Sequence, residues 1–197
     1  VLNAAWDFSL FTFHFSLFTF HCFSGMKFFL IGFMGAGKTT IGKYAANQNG
    51  LHFLDLDEYI EKKVGMDVRA IFREKGEDWF RNIERKCLEE VCAIEGLDLF
   101  VSCGGGTPCF FDNMALMNNS GHTIYLDMSA ARLTDRLRNS KDKRPLLNSI
   151  DGDLQVFVHK KLMERAGFYG QAKTVIPEGD CNKKFVGELI AQFIVLA

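Results

Sequence analysis

The sequence predicts an α/β fold: a parallel sheet with helices on both faces. Three observations predict it. From residue 26 onward, short apolar runs alternate with longer stretches of helical periodicity, an order that needs crossover connections and therefore parallel strands. A glycine-rich turn, Gly32-Phe-Met-Gly-Ala-Gly37, joins the first strand to the first helix. Polar residues suited to chemistry fall where the first three strands end, at Gly32, at Asp55 and Asp57, and at Gly104. That carboxyl edge is where such sheets bind ligands.

The elements follow in order. Lys27–Ile31 reads as a buried strand and Lys38–Asn49 as a helix stopped by Gly50. His52–Leu56 is a second strand. Asp78–Ile94 is an amphipathic helix, with Phe80, Ile83, Cys87, Leu88, Val91 and Cys92 at helical spacing. Leu97–Cys103 is a strand running into three glycines, and Thr123–Asp127 another, followed by a helix from Ser129 to about Asn139. The polar stretch Asn139–Gly152 reads as a mobile loop. A long helix from about Asp153 to Ala172, a short strand Lys173–Ile176 and a helix Asn182–Leu196 complete the chain.

The chain has 197 residues, enough for one domain with a real core. Its net charge of −1 gives no basic excess, so composition points to no nucleic-acid partner. Its six cysteines are too few for a disulfide scaffold and form no C-x2-C pair. Reduced thiols in a cytoplasmic protein are expected. Residues 1–25 stand apart. They hold seven of the twenty phenylalanines, one charge (Asp7) and a seven-residue duplication, Phe8–His14 repeated as Phe15–His21. No Lys or Arg precedes Lys27, as a signal peptide would require, and the stretch is too short and polar to span a membrane. We expect a non-native or disordered extension, with the functional protein starting at Met26.

Gly32-x4-Gly37-Lys38-Thr39 matches the phosphate-cradling G-x-x-x-x-G-K-[ST] in full and in its required strand–helix context. With no Cβ at the glycines on either side, backbone N–H groups at Gly35, Ala36 and Gly37 converge on phosphate oxygens, and the helix amino terminus adds about half a positive charge. Lys38 reaches the β- and γ-phosphates, and the Thr39 hydroxyl suits magnesium, with Thr40 beside it. A GTPase would need N-K-x-D, and Asn182-Lys-Lys-Phe185 lacks the aspartate. A small-molecule kinase fits the length.

Asp55 and Asp57 end the second strand, and period two puts both carboxylates on one side of it. Such a pair suits one metal-orienting group and one proton acceptor; the spacing suits equally well one of them capping the helix that starts at Asp57. Arg81 and Glu84 lie three apart on the polar side of the amphipathic helix and can pair. Gly104, Gly105 and Gly106 suit close backbone approach to a ligand. Arg144, in the polar loop, can close over a transferring phosphate.

Taken together, Gly32-x4-Gly-Lys-Thr39, Asp55-x-Asp57, Phe80-Arg81-x-x-Glu84, Gly104-Gly-Gly106, Arg144-Pro-Leu-Leu147 and Arg165-x-x-x-Tyr169 resemble shikimate kinase over residues 26–197. The resemblance implies a P-loop, nucleoside-monophosphate-kinase-like fold with a five-stranded parallel sheet and a mobile lid at about 139–152. It implies transfer of the ATP γ-phosphate to the 3-hydroxyl of shikimate, a step toward chorismate and the aromatic amino acids, with ATP as co-substrate and Mg2+ as cofactor. By position, Lys38, Asp57 (as base) and Arg144 would be catalytic. Gly35 to Thr40, Arg138 and Arg144 would bind ATP, and Thr39 and Asp55 would orient magnesium. Asp57, Arg81, Gly104 to Gly106 and Arg165 would bind shikimate, with Glu84 holding Arg81. The family's arginine near adenine is matched by either Arg136 or Arg138, and Arg138 is favoured. A cytoplasmic monomer without nucleic-acid or membrane partner is expected. The competing readings are another P-loop kinase, such as one acting on gluconate, and a nucleotide-binding switch protein.

Overall fold

The computed structural model describes residues 25–139 and 153–196. Of the expected extension only Gly25, and of the expected lid only Asn139, are among them; Arg144 lies outside the described residues. Five strands, β1 (Lys27–Ile31), β2 (His52–Asp55), β3 (Leu99–Ser102), β4 (His122–Asp127) and β5 (Thr174–Pro177), form one sheet in the order β2-β3-β1-β4-β5. Every pairing is parallel, for example Phe29 opposite Val101 on one side and Thr123 on the other. The crossovers are helical: α1 (Lys38–Gln48), α2 (Leu56–Val64), α3 (Val68–Lys75), α4 (Glu77–Ala93), α5 (Asn113–Ser120), α6 (Ala130–Arg138) and α7 (Leu154–Tyr169); α8 (Lys183–Leu196) follows the last strand. Among the described residues no helix is long and apolar enough to cross a membrane.

The central strand shows why both faces must be covered. Phe28, Phe29, Leu30 and Ile31 are all buried, and alternation along the strand divides them. Phe28 and Leu30 enter a core with Ile41 of α1, Leu133 and Leu137 of α6, Val158 of α7 and Val186 of α8. Phe29 and Ile31 enter a second core with Leu56 and Ile60 of α2, Phe80 and Leu88 of α4, and Met114 of α5. A continuous apolar strand is the signature of a parallel sheet buried on both sides. At about 1.5–3 kcal/mol per large apolar side chain, β1 is an anchor for both layers.

Two helices, α3 and α5, were not legible in the sequence, which offers α2 only as an alternative to a longer strand. α2 begins at Leu56, where the strand was expected to continue, so Asp57 lies in a helical first turn rather than on β2. The period-two argument for Asp55 and Asp57 is therefore wrong. Asp55 itself caps α2: its side chain accepts from the backbone N–H of Asp57 and Glu58. α3 is short, eight residues whose helical spacing rests on Val68, Ile71 and Phe72 alone, and α5 is rich in asparagine and has no apolar stripe. Both have nearby start or stop residues, Asp67 accepting from Ala70 N–H before α3 and Gly121 after α5. α7 ends at Tyr169, short of the expected Ala172.

Among the described residues the five cysteines are free thiols. Burial pushes all five thiols above their ordinary range, Cys103 most, since it is enclosed beside Met117.

Gly42 shows how tightly α1 sits on the sheet. A Cβ there would lie 2.8 Å from Phe53 Cε2 and 3.1 Å from Phe100 Cε1, and Phe100 is fully buried. Gly42→Ala gains helix propensity but overpacks this contact, so we expect a net loss of about 1–2 kcal/mol. A lower urea midpoint with unchanged slope is the expected readout; a raised midpoint would mean that Phe53 yields freely.

Candidate active site

A cleft of about 630 Å³ opens along the carboxyl edges of β1, β2 and β3. Its lining joins the P-loop (Met34, Gly35, Gly37, Lys38, Thr39 and Thr40) to Asp55, Asp57, Arg81, Glu84, Gly104–Gly106 and Arg165. The cleft thus collects nearly all of the residues singled out above. Ala36 is buried beneath the loop.

The P-loop is bent by glycines in conformations that L side chains rarely adopt, with φ of +86° at Gly35 and +96° at Gly37. Lys38 folds back over it, its Nζ donating to the carbonyls of Gly32 (2.8 Å) and Phe33 (3.1 Å). From outside, Arg136 of α6 braces the same loop: one nitrogen, Nη1, donates to Ala36 O at 2.9 Å and Gly35 O at 3.3 Å. Arg138 is exposed, with Nη1 4.0 Å from Asp135 Oδ1. Sequence alone could not separate the two; the i, i+2 offset turns them to different sides of the helix.

Beside the loop, Thr39 Oγ1 donates to Asp55 Oδ2 at 2.8 Å, while Asp55 Oδ1 caps α2. Each carboxylate oxygen thus has its own task, and the capping and metal-orienting roles considered for this residue are not alternatives. A hydroxyl and a carboxylate side by side are hard oxygen donors of the kind magnesium takes, with its remaining positions filled by water and phosphate.

Asp57 follows from the same turn. Burial, with the carboxylates of Asp55 and Glu84 nearby, pushes its pKa up to about 6, and Lys38 only partly opposes this. A carboxyl poised there is ionised at neutral pH yet basic enough to take a proton.

Spacing puts Arg81 and Glu84 together on the polar side of α4. The structure buries both: Arg81 is 9% exposed and Glu84 0%. The burial is tolerated because every polar end is matched. Arg81 Nη1 donates to Glu84 Oε2 at 2.7 Å, and Thr107 Oγ1 donates to Glu84 Oε1 at 2.5 Å. Asn113 holds the Thr107 carbonyl at 2.8 Å. No buried side-chain polar atom is unsatisfied among the described residues. The Arg81 guanidinium also lies 4.1 Å from the ring of Phe110 and 5.1 Å from that of Phe80, contacts that favour a cation. Glu77 reaches the guanidinium from the helix start. Thr107, Asn113, Phe110 and Glu77 carry no motif of their own, so sequence reading missed them.

The three glycines bring these pieces together. A Cβ on Gly104 would stand 3.0 Å from Asp57 Oδ1 and 3.2 Å from Glu84 Oε1. On Gly105 it would stand 3.2 Å from the Met34 nitrogen in the P-loop. On Gly106 it would stand 2.7 Å from Arg81 Nη2 and 3.0 Å from its Cζ. The Gly105 carbonyl accepts from Arg165 Nη1 at 3.0 Å and from Tyr169 Oη at 2.6 Å. Arg165 is further placed by the ring of Phe33, 5.3 Å away. Two guanidinium groups, from α4 and α7, therefore meet on one glycine backbone next to Asp57.

This arrangement has relatives. A family model for shikimate kinase matches residues 34–195. The shikimate kinase of Phocaeicola vulgatus is 48% identical over 159 residues, covering 80% of this chain and 90% of that protein. That of Parabacteroides distasonis is 49% identical over 147 residues, 74% of this chain and 84% of its own. Among solved structures, shikimate kinase from Bacteroides thetaiotaomicron superimposes with a TM-score of 0.76 at 38% identity, covering 87% of this chain and 97% of that one. The shikimate kinase of Acinetobacter baumannii, solved in complex with shikimate, gives 0.73 at 29% identity, with 87% and 92% covered. With both halves of the cleft inside the matched region, the chain belongs to the shikimate kinase family.

Proposed function

We propose that the cleft transfers the γ-phosphoryl group of ATP to the 3-hydroxyl of shikimate, giving shikimate 3-phosphate on the route to chorismate and the aromatic amino acids. The observation that carries this reading is the convergence of Asp57, Arg81, Arg165 and the P-loop on Gly104–Gly106. An acceptor with one carboxylate and several hydroxyls needs planar, bidentate cations and a nearby base. A switch protein has no use for either, and a gluconate acceptor would need no ring-orienting pair of arginines.

In this reading the backbone of Gly35, Ala36 and Gly37 and the amino terminus of α1 hold the triphosphate, with Thr40 beside them. Lys38 exchanges its carbonyl partners for β- and γ-phosphate oxygens. Thr39 and Asp55 hold the magnesium ion, which neutralises phosphate charge when bound. Arg81 and Arg165 grip the acceptor carboxylate, and the backbone of Gly104 to Gly106 lines its ring. Asp57 orients the 3-hydroxyl and takes its proton as the oxygen–phosphorus bond forms and the bond to the ADP oxygen breaks. Arg144 closes over the transferring group from the lid at about 139–152. Arg138 is the adenine-side arginine, since Arg136 is committed to the P-loop carbonyls. Positioning and charge neutralisation carry most of such a reaction. The enzyme is proposed to act as a cytoplasmic monomer, in keeping with its free thiols and small acceptor.

The direct test is ADP release with magnesium-ATP and shikimate, beside gluconate and no acceptor. Release that depends on shikimate alone is expected; release indifferent to it would refute the assignment.

Asp57 gives the next prediction. Asp57→Asn should lower kcat by roughly 10²–10⁴ if the group is a general base. In the wild type, kcat/KM should fall as pH drops through about 6, where the base is protonated. The same shift fixes a stability effect. A carboxyl whose folded pKa exceeds its unfolded value of 3.8 favours the fold at low pH, and that support is lost as pH rises from 3.8 through about 6. Asp57→Asn should therefore melt at a higher temperature than wild type at neutral pH while being nearly inactive; a lower melting temperature would contradict the buried, repelled carboxylate.

The two arginines should behave differently. Arg165→Ala leaves the Gly105 carbonyl its bond from Tyr169, so it should fold and bind shikimate about 1.5–3 kcal/mol more weakly. Arg81→Ala strands Glu84 without its cation and should cost about 3–5 kcal/mol of stability as well. Equal melting temperatures for the two variants would show that Glu84 does not depend on Arg81.

A further inference from the structure

Arg81 carries two carboxylates, one more than it needs to be held in place. Nη1 donates to Glu84 at 2.7 Å, while Nε and Nη2 both donate to a single oxygen of Glu77, at 3.2 and 3.0 Å. The two acids are unlike. Glu84 is buried and fixed from its other side by Thr107. The Glu77 side chain is 54% exposed, at the first position of α4 on the outer side of the guanidinium. One guanidinium facing two carboxylates has a formal charge balance of −1, and an anionic acceptor would bring a third carboxylate to it.

We propose that Glu77 competes with the acceptor's own carboxylate for the Nε–Nη2 edge of Arg81, and so sets how tightly the acceptor binds. The proposal rests on the reading that Arg81 grips that carboxylate. Orientation of Arg81 does not require Glu77. Glu84 fixes Nη1, the Gly106 backbone lies against one part of the guanidinium, and the Phe110 ring stands 4.1 Å from its carbon. A favourable position at a helix amino terminus explains an acidic residue there, but not why both Nε and Nη2 point at it. Glu84 is the positioning carboxylate. Glu77, with water on its other side, is the exchangeable one: it satisfies the guanidinium edge and swings to solvent when a better-matched carboxylate arrives. Its negative charge also disfavours acids that cannot match the planar fork.

The test uses the full chain with Glu77→Gln, which removes the charge, and Glu77→Ala, which removes the acceptor atoms as well. Shikimate affinity is measured by titration and as KM, beside the KM for ATP and the melting temperature. Both variants should bind shikimate about two- to fivefold more tightly, the range for losing one partly exposed charge interaction, with the KM for ATP unchanged. A purely structural role would instead weaken shikimate binding or lower the melting temperature. If neither variant tightens shikimate binding, the proposal is overturned. Arg165→Ala separates the two levels. If it also leaves shikimate affinity unchanged, the acceptor site itself has been misread; if it weakens binding while the Glu77 variants stay flat, only the competition is wrong.

Discussion

The site depends on a stretch of backbone with no side chains. At Gly104, Gly105 and Gly106 the loop after β3 passes within contact distance of a carboxylate, the P-loop and a guanidinium in turn. A Cβ would stand 3.0 Å from Asp57 Oδ1 at Gly104 and 2.7 Å from Arg81 Nη2 at Gly106, so either side chain would have to shift. Glycine is used here less for its torsional freedom than for its lack of bulk, since none of the three has a positive φ. The parallel sheet makes the meeting possible. β3 lies between β2 and β1, so the loops after all three strands emerge side by side at one edge.

Charge is arranged around that backbone in two tiers. The buried tier is Glu84 with Arg81 and Thr107, a pair closed on all sides by hydrogen bonds. Such a pair adds little net stability but fixes geometry, because breaking it leaves a charge stranded. The second tier is less enclosed: Asp57, Lys38 and Arg165 border the cleft, and Glu77 stands outside it against Arg81. Here the partners are backbone carbonyls or half-exposed side chains that a ligand can replace. Lys38 on Gly32 and Phe33, and Arg165 on Gly105, are held by neutral oxygens, which are weaker partners for a cation than a phosphate or carboxylate is. The raised pKa of Asp57 belongs to the same design, since its burial, and then the acids that crowd it, make it a better base.

Much of this was legible in the sequence, and the gaps have physical causes. α4 declared itself through apolar periodicity because it buries one face, and β1 as a continuous apolar run because it is buried on both sides. The P-loop was plain because eight positions and their strand–helix context agree. The start of α2 was misread since Asp55-Leu-Asp57 suits a strand end as well as a cap, and only the bonds from Asp57 and Glu58 N–H to Asp55 decide. α3 escaped because its period spans only Val68, Ile71 and Phe72 in eight residues, and α5 because its asparagines leave no apolar stripe. The pairing of Arg81 with Glu84 could be read from spacing, but not its burial. A charged pair on a helix is ordinarily solvated, and the Thr107 and Asn113 that make burial tolerable come from distant chain. Arg136 illustrates the same limit, as its carbonyl partners lie about a hundred residues away.

The central claim is that the glycine backbone and the two guanidinium groups form one acceptor seat. Calorimetric titration of shikimate into Gly106→Ala probes it most directly. The added methyl would stand 2.7 Å from Arg81 Nη2 and must push the guanidinium off its seat while leaving the P-loop untouched. Shikimate binding should weaken by about tenfold or more, roughly 1.4 kcal/mol, with magnesium-ATP binding unchanged. Unaltered shikimate binding in a folded variant would show that the acceptor sits elsewhere.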